Sequence, residues 1–267
     1  MRMIKNLSIG KKLTWGVLLL LIILAAGIGS LSYYQAASAL QKQVQTNVPM
    51  TARYGADIVR GMLDRHLKIV EVMAEHPAIK SMDWDRQRAE LESQTEQGGF
   101  LGMGIIFPDG TARYPDGSTA QLGNRSYARR AFQGQVNVSD VIISRAINAP
   151  VMMVAAPIYG QNRKLAAVLI ARLDATWLSE VTDGIGYGKQ GYSYIIDSTG
   201  ALIAHKNRDF VLNQANFIEE AKTEPKFASL AAMFKRMIQG ETGFDEYPFM
   251  GSDRFFGYAP IPETSWS

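Results

Sequence analysis

NRSYARRAFQGQVNVSDVIISRAINAPVMMVAAPIYGQNRKLAAVLIARLD, residues 124–174, is the stretch whose reading decides the fold. It opens with a short cationic segment that reads as helical and continues as three strand-like runs. The last two, VMMVAAPIY (151–159) and KLAAVLIARLD (164–174), are apolar and separated by a polar turn, the pattern of adjacent antiparallel strands. The stretch also sets Arg125, Arg129, Arg130, Arg145 and Arg172 among aromatic and aliphatic residues. Arg129 and Arg130 lie in a polar helical segment and read as solvated surface charges. Arg172 interrupts an apolar strand, where an unanswered charge is costly.

Upstream, GMGIIFPDGTARYP (102–115) reads as strand, turn at Pro108-Asp109-Gly110, strand. Downstream, GYSYIIDSTGALIAH (191–205) repeats that pattern about 90 residues later, with its turn at Asp197-Ser198-Thr199-Gly200. Each copy is followed by a helical region and a strand pair. In the second copy the pair is TGFDEYPFM (242–250) and RFFGYAPIP (254–262), and AAPIY echoes YAPIP. The expected architecture is α+β, two modules at 98–174 and 191–267, each an antiparallel sheet with helices on one face. Residues 175–190 form the connector, with a short helix at Thr176–Thr182 and a glycine-rich Gly184-Ile185-Gly186-Tyr187-Gly188-Lys189. In the second module Phe227–Ile238 reads as an amphipathic helix showing Leu230, Phe234 and Met237 or Ile238 on one face.

At the other end, Lys12 and Lys42 bracket a stretch without a charged residue. Within it Leu13–Leu31 is long and apolar enough to span a bilayer as a helix, with Trp15 and Tyr33–Tyr34 as interfacial anchors. Arg2, Lys5, Lys11 and Lys12 precede it, which places residues 1–12 in the cytoplasm and the rest outside. The competing reading is a cleaved leader ending near Ala37-Ser38-Ala39. Beyond residue 34 a long helix is expected, with Ile58, Met62, Arg65/His66, Ile69 and Met73 as its inward stripe. A second helix at Asp83–Gln97 stops at Gly98-Gly99.

The formal charge is +3, and the four cations of residues 1–12 leave −1 for everything else. A pI near 9.0 therefore describes the leader, and no nucleic-acid surface is read from it. The chain has no cysteine, which excludes disulfides, thiolate metal sites and a cysteine nucleophile. His66 and His76 lack the partners a metal would need at helical spacing. No GxSxG, HExxH, P-loop or strand-following GxGxxG occurs, so no catalytic residue, metal or cofactor is assigned.

The long membrane-proximal helix, the two modules and the phrases GYSYIIDSTGALIAH and YAPIPETSW resemble a double-Cache extracellular sensor. Such sensors occur in methyl-accepting chemotaxis receptors, sensor histidine kinases and diguanylate cyclases, and LSIGKKL before an apolar run is similar to chemoreceptor leaders. The resemblance implies two PAS-like modules on the long helix, the first farther from the membrane and holding a small ligand. It also implies an inner-membrane homodimer. The chain stops at Thr264-Ser265-Trp266-Ser267, where a further strand is expected, so the resemblance implies the sensor part of a longer receptor.

Amino-acid-binding members carry an arginine two residues before an aromatic where the pocket opens, matched here by Arg125-Ser126-Tyr127. The family's tyrosine and aspartate on the next strand fall at Ile142 and Ser144, and its last-strand aspartate falls at Arg172. Asp174, two residues on, is the alternative if the register differs. A site of Tyr114, Arg125, Tyr127, Asp140, Ser144 and Arg172 results. It is poor in acceptors for an ammonium and suited to an organic anion or a purine-like ligand. A structural ion pair between Arg172 and Asp140 is the other use for those charges. A membrane-anchored protein that binds a partner and no small ligand would instead show an occluded pocket and a large apolar patch.

Overall fold

A computed structural model describes residues 9–144, 147–160, 163–188, 191–249 and 251–267. The chain divides into two compact units, Met1–Asn47 and Val48–Ser267. The described part of the first unit is helical throughout. It belongs to α1 (Ile9–Ala74), whose apolar portion, with a mean hydropathy of 2.2, is long enough to cross a membrane.

In the second unit, α1 is followed by the one-turn α2 (Pro77–Lys80) and by α3 (Trp84–Gly98). Asp83 caps α3 by accepting from the Asp85 amide at 3.0 Å, and Gly99 ends it with a φ of 68° that glycine adopts without strain. The sheet that follows has seven strands, all antiparallel. They are β1 (Gly102–Ile106), β2 (Thr111–Arg113), β3 (Thr119–Gln121), β4 (Asn137–Val138), β5 (Ile142–Ser144), β6 (Ala149–Tyr159) and β7 (Leu165–Asp174). Their order is β3-β2-β1-β7-β6-β4, with β5 also paired to β6. The opening stretch thus holds four strands and not three, because the expected first run is split at Ser139–Val141 into β4 and β5. Helix α4 (Ser126–Phe132) precedes them.

Side chains alternate between the two faces of this sheet. Met103, Ile105, Leu169, Ala171 and Leu173 face α1 and α3, where they meet Val59, Leu63, Val70 and Leu91. Ile106, Met153, Val168 and Ile170 face the other way and pack under Tyr127, Ala128 and Ala131 of α4. The inward stripe of α1 is Ala56, Val59, Leu63, Val70 and Ala74. The expected stripe is rotated from this: Ile58 is 50% exposed, and Met62, Ile69 and Met73 are only partly buried. Both sets have helical spacing, and the sheet selects the one whose smaller and branched side chains fit its surface.

Helix α5 (Thr176–Asp183) lies where the connector helix was expected. Beyond it come β8 (Ile195–Ile196) and β9 (Leu202–Ala204), α6 (Arg208–Leu212), α7 (Phe217–Glu220) and α8 (Ala228–Met237). The hairpin of β10 (Gly243–Phe249) and β11 (Ser252–Tyr258) follows. The Asp197 carboxylate holds the β8–β9 turn by accepting from the Thr199 and Ala201 amides. Residues 259–262, expected as strand, lie outside β11, and Pro260 and Pro262 have no amide to give a ladder. On α8, Leu230, Phe234 and Met237 are buried and Ile238 is 37% exposed, which settles the face. Aromatic rings fill this core: Tyr194 stacks on Phe256 at 4.4 Å, and Phe217 touches Phe210, Phe227 and Phe234. Met250 and Lys189 lie outside the described residues.

Candidate ligand-binding site

The α4 face of the sheet is not fully covered. Register places Arg172 of β7 beside Met153 of β6 and Gly102 of β1. Tyr127 holds its end of α4 against the sheet, and its carbonyl accepts from the Asn137 side chain at 3.1 Å, which ties α4 to β4. Ser139 then clips the chain to β6. Its amide donates to the Met153 carbonyl at 2.8 Å and its hydroxyl accepts from the Met153 amide at 2.9 Å. That clip sets the path of Asp140 and of β5 along the rim.

The result is a cavity of about 610 Å³. Tyr114, Arg125, Tyr127, Asp140, Ser144 and Arg172 all line it, so the structure brings the six expected residues together. Ile142, at the position of the family's tyrosine, lines it too. Reading the sequence missed Leu122, Ser126, Ser139, Ile143, Val151 and Met153. Strand alternation on β6 could have supplied Val151 and Met153, while the Ser139 clip has no local signal. Arg145 lies outside the described residues. Arg129 and Arg130 are exposed, and Arg130 donates to the Val138 carbonyl at 2.7 Å.

Two readings are corrected. Asp174 does not enter the site; its carboxylate accepts from the Thr176 amide at 2.8 Å and the Thr176 hydroxyl at 2.7 Å, starting α5. Arg172 and Asp140 form no ion pair, and neither they nor Arg125 pair with an opposite charge among the described residues. The cavity therefore holds two guanidinium groups against one exposed carboxylate.

Tyr114 and Tyr127 are neutral hydroxyls here. Burial raises both phenols, Tyr127 to about 12, although the Arg172 guanidinium beside them pulls the other way. The Tyr114 ring lies against β1 because Gly104 has no side chain. A Cβ there would stand 2.9 Å from the ring and 2.7 Å from the Arg113 carbonyl oxygen. Chemically the cavity offers two planar cation forks, two aromatic hydroxyls, serine hydroxyls and an apolar floor, arranged for binding. A groove of about 680 Å³ between α1 and α3 is larger, and its lining includes Ile69, Val72, Met73, Ile79 and Leu91 together with Arg65, Lys68 and Glu90.

A search of curated protein sequences gives no match. Solved structures do match in fold. The ligand-binding domain of the Pseudomonas aeruginosa amino acid chemoreceptor PctB, in complex with L-Arg, superposes with a TM-score of 0.62 at 17% identity. That match covers 84% of this chain and 93% of that one. The ligand-binding domain of the Pseudomonas fluorescens chemoreceptor CtaA, with L-isoleucine, gives 0.65 at 14% identity, covering 87% and 93%. The P. aeruginosa receptor PctC, with GABA, gives 0.61 at 15% identity, covering 80% and 93%. The family model described as Cache domain, in its double form, matches residues 35–267. An uninterrupted match over that span, on a chain whose two successive α+β regions follow one long helix, makes this protein a member of the double-Cache domain family.

Proposed function

We propose that this chain is the extracytoplasmic sensor of a transmembrane chemoreceptor, and that a small organic anion or acceptor-rich heterocycle binds in the 610 Å³ cavity. Residues 98–174 form the membrane-distal module, 175–190 the connector and 191–267 the proximal module. The leader and apolar helix anchor it in the inner membrane, and it works as a homodimer. The observation that carries the ligand class is the pair Arg125 and Arg172, both facing the cavity without a carboxylate partner among the described residues. An anion answers both charges, and guanidinium forks take carboxylates bidentately. The sensing role rests on the family and on fold relatives crystallised with small molecules. The same sensor can serve a histidine kinase or a diguanylate cyclase.

A second reading has one observation in its favour. Asp140 lines the cavity and can take an ammonium, and the fold relatives are bound to L-Arg, L-isoleucine and GABA. The partner-binding reading without a small ligand requires an occluded pocket, which an open cavity of this size opposes. A thermal-shift screen of the full chain in detergent, with dicarboxylates, purines and α-amino acids, separates these. A compound at about 100 times its dissociation constant stabilises by roughly 2.7 kcal/mol. Shifts with amino acids and none with anions or purines would overturn the ligand class, and silence across all three would favour the partner-binding reading.

A further inference from the structure

Asp140 belongs to two cavities. With Ser126 and Ser139 it separates the ligand cavity from a second, polar one of about 310 Å³. The far wall of that second cavity is Arg60 of α1 and the segment Glu263–Trp266. Across it the Ser265 hydroxyl donates to the Asp140 carboxylate at 3.5 Å. A hydrogen bond this long is weak, and a movement of a few tenths of an ångström strengthens or breaks it.

The segment behind Ser265 is held more firmly. Arg60 donates to the Pro262 carbonyl at 3.2 Å and to the Glu263 carboxylate at 2.5 Å, while holding Asp64 at 2.5 Å. Trp266 is 2% exposed, and its carbonyl accepts from the Ile261 amide at 2.9 Å. Ser267 and Ile196 exchange both backbone hydrogen bonds, at 2.9 and 3.1 Å. Residues 261–267 thus form a bracket from α1 to β8, with Ser265 resting on the wall of the ligand cavity.

We infer that Ser265 is a positioning residue for the ligand cavity, and that Asp140 couples occupancy of the cavity to the docking of residues 261–267 on α1. This rests on the ligand-sensing reading and adds a direction to it. An anion held by Arg125 and Arg172 repels the Asp140 carboxylate toward Ser265 and tightens the bracket. An ammonium ligand draws it inward and loosens the bracket. The coupling is reciprocal, so a change at the bracket alters affinity by the same factor.

Hydrogen exchange on the full chain in nanodiscs tests this, with succinate as the anionic probe and with Ser265→Ala and Ser265→Thr as variants. S265A is expected to speed exchange about threefold both at 261–267 and at 139–144, as loss of a weak hydrogen bond would. S265T, which keeps the hydroxyl, restores both. Succinate is expected to slow exchange at 261–267 in the unmodified chain and not in S265A. The coupling is overturned if S265A affects 261–267 alone, or if succinate protects 139–144 and leaves 261–267 unchanged. Succinate protecting nothing, while S265A still speeds both segments, supports the coupling and removes succinate from the ligand class instead.

Discussion

Arg172 stands on a strand between two buried neighbours, Ala171 and Leu173, yet its own side chain turns to the opposite face and meets a cavity. The fork matters as well as the charge. Arg172→Lys keeps the cation and loses the planar pair of donors, so affinity for an anionic ligand should fall about tenfold, measured by titration calorimetry. Unchanged affinity would mean that Arg172 acts only as a distant charge. The tyrosines give a second handle. Burial raises Tyr127 and Tyr247 to about 12, whereas in the unfolded chain phenols lose their protons near 10. In that window the folded chain binds more protons than the unfolded one. Stability is therefore complete below about pH 10 and falls as pH rises toward 12. The melting temperature should decline across that range, and less steeply in Tyr127→Phe. The six cavity-lining residues were reached mainly through the family resemblance, which pointed to Arg125, Tyr127, Ser144 and Arg172. The use of Asp174 was not legible, since one carboxylate on a strand end can face a cavity or hold the turn into the next helix. Only the Thr176 contacts decide between them.

At the scale of elements, periodicity identified α1 but gave it the wrong rotation. Ile58, Met62, Ile69 and Met73 share a helical stripe as good as Val59, Leu63, Val70 and Ala74, and the sheet chose the second. Leu63→Ala should cost about 2–5 kcal/mol in denaturant unfolding. Ile58→Ala should change it by less than about 0.5 kcal/mol. Equal costs would mean that the helix is turned as the sequence alone suggested. The strand pairs were legible from their apolar runs and turn residues, including the left-handed Gly110 and Gly200. The three-residue β3 was not, because so few positions carry no period and it exists only through its pairing with β2.

For the molecule as a whole, the second α+β region meets α1 at close quarters. Gly257 of β11 lies so near the helix that a Cβ would stand 2.5 Å from the Pro49 nitrogen and from the Val48 carbonyl carbon. These are backbone atoms and cannot swing aside. Gly257→Ala should lower the melting temperature by several degrees, roughly the 4 °C that 1–2 kcal/mol produces in a domain this large. No change in a melting scan would mean that β11 and α1 do not hold this contact. Paired turns and strand runs suggested a repeat, but the first region forms one seven-stranded sheet and the second two separate hairpins, β8–β9 and β10–β11. The shared wall at Asp140 was not legible, because it joins residues 125 positions apart. The claim on which the account turns is that an anion is held between Arg125 and Arg172. Titration calorimetry of the full chain, with the best-stabilising compound, compares the native sequence with the double variant R125A/R172A. The account predicts an anion or purine whose affinity falls at least ~100-fold in the double variant, two charged contacts at about 1.5 kcal/mol each. An α-amino acid bound equally well by both proteins would contradict it.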